Sequence, residues 1–499
     1  MNGAQAQWEK AIAEWNNAVF TLPNTTRLQE EIEGALIAND CMYRFSAERF
    51  KAKEGRWENA LSKRELRHDV IDGQKVVEVP IGTTLRPAFL PPSVLSRLHQ
   101  LGSPLEQLLA LSRSYLLDHP ETCSLFGDPV KSEISWIGRT SHISPITQWS
   151  RIDFLWKWAE GGVEIKLLDI NLLPGMTFIN RTLSKICGDL FSRYGLCEHP
   201  DQVNAMAIDK LTSNMVKWVS QRNTPKAPSS LKLAVLARKL HGLAIEARLC
   251  ANSLKALGAE CSVVSPVELH SMARSLQLDG IIRMCRPVSK HAVGHYGFED
   301  NSAFSKLAEV FSNTPLCPFF NAFLESHAWF FVWQTESFKN YAEALGQEQT
   351  LSTILPLLPK TGVVLSDLSV EWPSAKHQLS PDALQNVVLK RANSTGAQDL
   401  TVLHRASSRQ RETAFRKLQL ENGSGWVIQE LIESQKEKFP LHTRLNRTLS
   451  CVEGFMVYGA YFSDRQYLGA HAVMTPFSRK VHGGFDSFLM PTFSAYERN

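Results

Sequence analysis

Three oxygen-bearing side chains stand where a β hairpin would bury them. In "SRIDFLWKWAEGGVEIKLLDINLLPGM", Ser150 to Met176, Asp153 lies in one strand-like apolar run, Asp169 and Asn171 close a second, and Glu160-Gly161-Gly162 makes the turn between them. Buried carboxylates are costly unless a partner satisfies them, and the partner is often a cation. Residues 169 and 171 project from the same strand face, and Asp153 on the neighbouring strand can reach it. Three hard oxygen donors on one face suit Mg²⁺, which prefers octahedral oxygen and leaves positions for water or phosphate. Arg151 shares the face with Asp153. Its guanidinium fits a phosphate bidentately, or forms a salt bridge with one of the acids.

Two further stretches suit nucleotide chemistry. Lys390 ends the apolar run "NVVLK" and is followed by Ser394, Thr395 and Gly396. An ammonium beside a loop of small residues suits a phosphate clamp, because backbone N–H groups can approach the oxygens there; an exposed strand-end lysine is the plain alternative. "WVIQELIES" offers an apolar strand for a purine pocket, with the backbone of Gln429, Glu430, Leu431 and Ile432 available to an adenine edge, or else a core strand and nothing more.

The elements that must position these residues follow from periodicity. Residues 1–133 read as a mainly helical region, with apolar residues three and four apart in "QWEKAIAEWNNAVF" and "PPSVLSRLHQLGSPLEQLLALSRSYLLDH"; glycine and proline break the pattern into pieces, and "KVVEVPIGTTLRPAFLPPS" reads as extended chain. From about Ile134 the pattern turns to short strands, "EISWIG", "RIDFLWKWA" and "VEIKLLDINLLPG", then the helical "FINRTLSKICGDLFSRYG", which together make a unit over 134–220. The linker "QRNTPKAPSS" at 221–230 closes it. Over 231–330, "LKLAVLARKL", "LAIEARLCANSLKALGA", "ECSVVSP" and "DGIIRMCRPV" alternate strand and helix as in a parallel α/β unit. Over 331–499, the lysine and "WVIQE" strands and "GFMVYGAYFSDRQYLGAHAVMTP" are strands separated by turns, and the charged "RASSRQRETAFRKLQLENG" is a helix. The fold class read from this is α/β (α+β).

Composition narrows the function. With 499 residues the chain exceeds one core, and 43% apolar with 21% charged residues is the balance of a folded globular protein. A net charge of +4, from 54 basic and 50 acidic residues, supplies no electrostatic footprint for nucleic acid. The expected partners are small molecules. Nine scattered cysteines without metal spacing read as reduced thiols. The start "MNGAQAQWEKAIAEW" lacks signal-peptide character, and no window has the apolar length of a membrane span, so the expectation is a cytoplasmic protein with no membrane partner.

Taken together, "SRIDF…KLLDINLLPG", "VVLKRANSTG" and "WVIQELIES" resemble the ATP-grasp superfamily, and their order, with the acidic strands ahead of the lysine strand, resembles its circularly permuted branch of glutathionylspermidine synthetase-like ligases. The family's R-x-D strand and acid-x-Asn strand are matched by Arg151-Ile152-Asp153 and Asp169-Ile170-Asn171 with Pro174. The resemblance implies ATP and Mg²⁺ as cofactors, with Mg²⁺ on Asp153, Asp169 and Asn171 and with Arg151 steadying the transferred phosphoryl group. Lys390 would lie on ATP phosphates under the loop of Ser394, Thr395 and Gly396, and Gln429 to Ile432 on adenine. The 231–330 unit resembles a pre-ATP-grasp domain whose "DGIIR" brings Arg283 near the site. The implied activity is a carboxylate–amine ligase working through an acylphosphate, with small-molecule carboxylate and amine substrates. A phosphotransferase on a hydroxyl or phosphate acceptor, and an inactive nucleotide-binding scaffold, are the alternatives. The chain departs from the pattern in carrying Asp169 where Glu is usual and His327, in "SHAWFF", where a second lysine is common. The Gly-Gly turn in "KVHGGFDSF" receives no partner from the resemblance. Arg86, Trp136 and Arg139 are further candidates for recognising an acidic substrate, beside ordinary core and surface roles.

Overall fold

The computed structural model describes residues 3–51, 66–71, 73–126, 146–200, 203, 207–222, 227–237, 244–273, 278–284, 310, 314–318, 322–392, 400–404, 406–423, 425–442, 449–476 and 487–494. The "EISWIG" strand, Trp136, Arg139, Ser394 to Gly396 and the Gly-Gly turn of "KVHGGFDSF" lie outside these residues. The architecture is mixed α and β with several sheets, as the patterning implies. Among the described residues, no helix is long and apolar enough to cross a membrane.

The hairpin expected from the sequence forms the edge of a seven-stranded sheet. Ser150–Ala159 and Gly162–Asn171 pair antiparallel through the Glu160-Gly161 turn, where Gly161, at φ 83°, takes the left-handed conformation that glycine adopts without steric cost. Ser150–Ala159 then pairs on its other side with Leu449–Ser463, which in turn pairs with Gln466–Thr475 and Lys436–His442. Phe488–Ser494 follows, and the parallel strand Ala88–Leu90 from the N-terminal region completes the sheet. A row of register partners, Asp169, Asp153, Gly459 and His471, crosses four strands, and Asn171, Arg151 and Tyr461 form the next row. Because side chains alternate along a strand, both rows face the same side. Phe154, Trp156 and Tyr458 face the other side, where the helix Gly3–Thr21 lies, with Trp8 edge-on to Trp156 at 5.3 Å.

A six-stranded antiparallel sheet carries the lysine. Its order is Ala375–Gln378, Ser369–Trp372, Thr361–Val364, Trp426–Glu430, Val387–Arg391 and Leu400–Val402. Leu389, Trp426 and Ile428 on one face pack with Leu418 of the helix Ser408–Leu420. Lys390, Gln429 and Thr361 share the opposite face. The third assembly is the parallel sheet Leu316–Cys317, Gly280–Arg283, Lys232–Leu236 and Glu260–Val264, with the helix Ala244–Ala256 between its Lys232 and Glu260 strands. A fourth, three-stranded sheet of Met42–Ser46, Gln74–Pro80 and Arg67–Ile71 gives the N-terminal region more β structure than its periodicity shows.

One local expectation is corrected. Gly102 and Pro104 do not break the helical pattern: Pro92–Asp118 is a single helix with Pro104 inside it. The cost of proline there, about 3 kcal/mol, is offset by an apolar stripe of Val94, Leu98, Leu101, Leu105, Leu108 and Leu109, all buried. Gly102 is required by contact rather than by a turn, since a Cβ at that position would sit 1.9 Å from the Arg465 carbonyl oxygen.

Candidate active site

The two sheets meet at Lys390. In the edge hairpin the register passes from Asp153–Asp169 to Phe154–Leu167, so Leu168 is an extra residue, a β-bulge. Its carbonyl accepts from the Lys390 ammonium at 3.0 Å. The same ammonium donates to Gln429 Oε1 at 2.8 Å, and Gln429 Nε2 donates to Thr361 Oγ1 at 3.2 Å. Lys390 is 4% exposed. Burial depresses its affinity for a proton, and the Asp169 and Asp153 charges oppose that.

On the hairpin, Arg151 grips Asp153 with both ends of its fork: Nε to Oδ1 at 2.6 Å and Nη2 to Oδ2 at 2.9 Å. Its Nη1 donates to the Gly175 carbonyl at 3.0 Å, which ties the guanidinium to the loop before the next helix. Burial works against the Arg151 charge, yet Asp153, with Tyr461, holds it above its ordinary proton affinity. Asn171 Nδ2 donates to Asp153 Oδ2 at 3.3 Å. Asp169 accepts from the Ile170 N–H and lies 3.5 Å from His327 Nδ1. Burial pushes the Asp169 carboxyl well above the usual carboxylate range; the Asp153 charge adds to this, and Lys390 pulls it back.

These residues fit a divalent cation. Asp153 and Asp169 are cross-strand partners, Asn171 stands one row away on the same face, and a bound cation would add to Lys390 and Arg151 in offsetting the burial and the Asp153 charge that raise Asp169. Among the described residues no group of three His, Cys, Asp or Glu is placed to hold a metal. Asp153, Asp169 and Asn171 would offer two carboxylates and an amide oxygen, hard donors of the kind Mg²⁺ takes in small number and supplements with water and phosphate.

Several residues that frame this cluster carry no sequence motif. Glu325, two residues before His327, accepts from the N–H groups of Leu172 and Leu173 at 2.5 and 3.0 Å and so fixes the turn after Asn171. Gly459 is the only residue type that fits between Arg151 and His471: a Cβ there would lie 2.8 Å from Arg151 Cδ and 2.4 Å from His471 Cε1. The helix Thr177–Arg193 starts from Met176 at φ 68° without a side-chain cap of its own. Glu246, from the helix beside the parallel sheet, supplies the cap, accepting from Phe178 N at 2.8 Å and Ile179 N at 3.1 Å. A lone glycine inside "VYGAY" was the one signal for Gly459; Glu325 and Glu246 act over long sequence distances and leave none.

Arg151, Asp153, Asp169, Asn171, Lys390 and Gln429 therefore come together, with His327 against Asp169. Arg283 ends the Gly280–Arg283 strand of the parallel sheet, 1% exposed, and its Nε donates to the Pro318 carbonyl at 3.1 Å. The N–H groups of Glu430 and Leu431 are bound within the fold, to Lys360 and Asn386 carbonyls at 2.9 and 3.3 Å, and Ile432 follows them out of the strand.

No family model and no curated protein sequence matches the chain. Solved structures do. A glutathione synthetase-like effector from Globodera pallida, in its apo form, aligns over 94% of this chain and 96% of its own at 10% identity, with a TM-score of 0.56. A protein named "Putative gamma-glutamylcysteine synthetase", from Methylobacillus flagellatus KT, aligns over 82% of this chain and 90% of its own at 12% identity, with a TM-score of 0.37, too low to carry an argument. The first likeness shows a shared overall fold, an α+β architecture also found in a synthetase-like protein.

Proposed function

We propose that the protein is an ATP- and Mg²⁺-dependent carboxylate–amine ligase of the ATP-grasp type, with its elements in the circularly permuted order. The observation that carries this reading is the placement of the buried Lys390 ammonium, delivered by one sheet, beside the Asp153–Asp169 carboxylate pair of another. A lysine between carboxylates would be a plain ion pair if nothing else converged there. Here Arg151 and Asn171 face the same space, and the combination of fixed cations with hard oxygen donors suits a triphosphate. The likeness in fold to a glutathione synthetase-like protein supports the same reaction class.

In the mechanism, Lys390 offsets phosphate charge, and Gln429 fixes the direction of its ammonium. Asp153, Asp169 and Asn171 would hold Mg²⁺, which when bound neutralises the β- and γ-phosphates and aligns them for transfer. Arg151, anchored by Asp153 and Gly175, would bring its charge to the oxygens of the transferring phosphoryl group. Ser394, Thr395 and Gly396, outside the described residues, would contact the phosphates if the family resemblance holds. With the Glu430 and Leu431 N–H groups already bound, the 429–432 segment would meet adenine through carbonyls and apolar surface. Arg283 would serve the substrate side. A carboxylate oxygen attacks the γ-phosphorus, the bond to the β–γ bridging oxygen breaks, and ADP leaves. An amine then attacks the acyl carbon, loses a proton and expels phosphate, leaving an amide. The chain contributes positioning and charge, so no nucleophilic side chain is needed. The partners are a small carboxylate and a small amine, with neither nucleic acid nor membrane, and the setting is the cytoplasm.

The test is ADP release from the purified protein with Mg²⁺-ATP, a pool of amino acids and other carboxylates, and hydroxylamine as surrogate amine. Carboxylate-dependent ADP with a matching hydroxamate is expected. ADP with a phosphorylated alcohol and no hydroxamate would replace the ligase by a phosphotransferase.

A further inference from the structure

Lys390 is held by a chain of hydrogen bonds that runs sideways through the six-stranded sheet, across three adjacent strands. Thr361 is the register partner of Gln429, and Gln429 in turn is the partner of Val388, two residues before Lys390. Side chains two apart on a strand share a face, so Thr361, Gln429 and Lys390 stand on one face, with Lys390 diagonal to Gln429. All three are buried, at 0%, 2% and 4% exposure, and Val363 and Val427, two residues along their strands from Thr361 and Gln429, are buried with them. In such surroundings a hydrogen bond is stronger than in water, and a missing one costs more.

The chemistry at each end fixes the direction of every bond. The Pro359 carbonyl can only accept, and it takes the Thr361 hydroxyl proton at 3.0 Å. Having given its one proton, Thr361 Oγ1 is left as an acceptor, and Gln429 Nε2 donates to it at 3.2 Å. That turns Gln429 Oε1 toward Lys390, whose ammonium can only donate and does so at 2.8 Å. A bond to the Leu168 carbonyl at 3.0 Å places another of its N–H groups. The far end is pinned as well, since Gln334 Nε2 donates to the same Pro359 carbonyl at 3.0 Å. The relay therefore has a single polarity, each member donating to the next from Lys390 through Gln429 and Thr361 to Pro359.

We propose that Thr361 is a positioning residue for the ligase and, resting on the assignment of Lys390 to ATP phosphates, that it acts through Gln429 to set the direction in which the ammonium meets them. Without the Thr361 hydroxyl, Gln429 Nε2 is left buried and unmet, a costly state. The amide then gains by swinging to another acceptor, which withdraws Oε1 from Lys390. The ammonium keeps only its bond to Leu168 and turns about it. The side chain of Gln429 thus serves the phosphate end of the site rather than adenine.

The experiment is calorimetric titration of the full chain with Mg²⁺-ATP, on the wild type, Thr361→Val, Gln429→Met and the double variant, with circular dichroism to establish that each is folded. Thr361→Val keeps the branched shape and removes the hydroxyl. It should weaken ATP binding about tenfold, the worth of one hydrogen bond to a charged group, while Thr361→Ser binds as the wild type does. The cycle separates positioning from packing: because Thr361 acts through Gln429, Thr361→Val should add no further loss to Gln429→Met. Additive losses, wild-type affinity in Thr361→Val, or a Thr361→Ser variant as weak as Thr361→Val would each overturn the proposal and leave the ligase reading in place. A wild type that binds no Mg²⁺-ATP would overturn both. Should Thr361→Val not fold, Thr361→Cys, a weaker donor and acceptor, takes its place in the same cycle.

Discussion

Replacing Glu246 with glutamine should change how stability depends on pH more than it changes stability itself. Glu246 is 1% exposed and accepts two backbone hydrogen bonds at the start of the Thr177–Arg193 helix. Burial raises its carboxyl from an ordinary value of 4.5 to about 7, against the opposing pull of those backbone donors and of Arg151. Between these two values the folded protein keeps a proton that the unfolded chain has released. The stabilisation is therefore complete below about 4.5 and is lost as the pH rises through 7. At ~1.4 kcal/mol per pH unit, the loss amounts to about 3 kcal/mol. Glu246→Gln keeps an oxygen acceptor for the helix and cannot titrate. Urea unfolding of both proteins at intervals from pH 4.5 to 8 reads the difference. The variant should gain about 3 kcal/mol on the wild type across that range, whatever its offset at the acid end. Parallel stability curves would show that Glu246 is either ionised at little cost or not desolvated, and the capping argument would fall with them.

Four further outcomes are expected. Gly459→Ala should lower turnover of the proposed ligase about a hundredfold by displacing Arg151, with circular dichroism unchanged; full activity would mean that Arg151 has no fixed role. Lys390→Met should weaken ATP binding ten- to a hundredfold, the worth of a charge-assisted bond, by calorimetry; unaltered affinity would remove the lysine from the nucleotide site. Asp169→Ala should abolish Mg²⁺-dependent ADP release while the protein remains folded, and retained turnover would undo the metal assignment. Gly102→Ala should cost about 1–3 kcal/mol of stability through overpacking against the Arg465 carbonyl, read from thermal unfolding.

The parts legible in the sequence are those written in local pattern. Period-two alternation and a Glu-Gly-Gly turn gave the Ser150–Asn171 hairpin, and with it the shared face of Arg151, Asp153, Asp169 and Asn171. Apolar runs separated by glycine-containing turns gave the strands Val387–Arg391 and Trp426–Glu430, but not their pairing, which brings Lys390 to Gln429. What local pattern cannot show is which strand pairs with which over long separations. The junction of Lys390 with the Leu168 carbonyl spans 222 residues and depends on a bulge that alternation alone does not reveal. Arg86 illustrates the same limit: its type and position suggested an acid-binding surface residue or a core one, and only the fold shows a buried guanidinium whose partner, Glu437, lies 351 residues away. Gly102 and Pro104 misled for the converse reason. Their intrinsic preferences favour a break, but a continuous apolar stripe over the Pro92–Asp118 helix outweighs them.

The pairing of Ser150–Ala159 with Leu449–Ser463 bears on how the molecule is made. A ribosome adds residues over tens of seconds, so the Arg151–Asp153 strand emerges long before the strand that will flank it. During that interval its outer row of N–H and C=O groups is an open edge, able to accept any extended segment that arrives first. The Phe488–Ser494 strand, which joins the late-made strands to the early Ala88–Leu90, sets the final lock. A nascent chain stalled before residue 449 would hold every side chain of the hairpin cluster and Lys390, yet lack the central strands against which they are aligned. Its fate would rest on chaperones that shield an unfinished sheet.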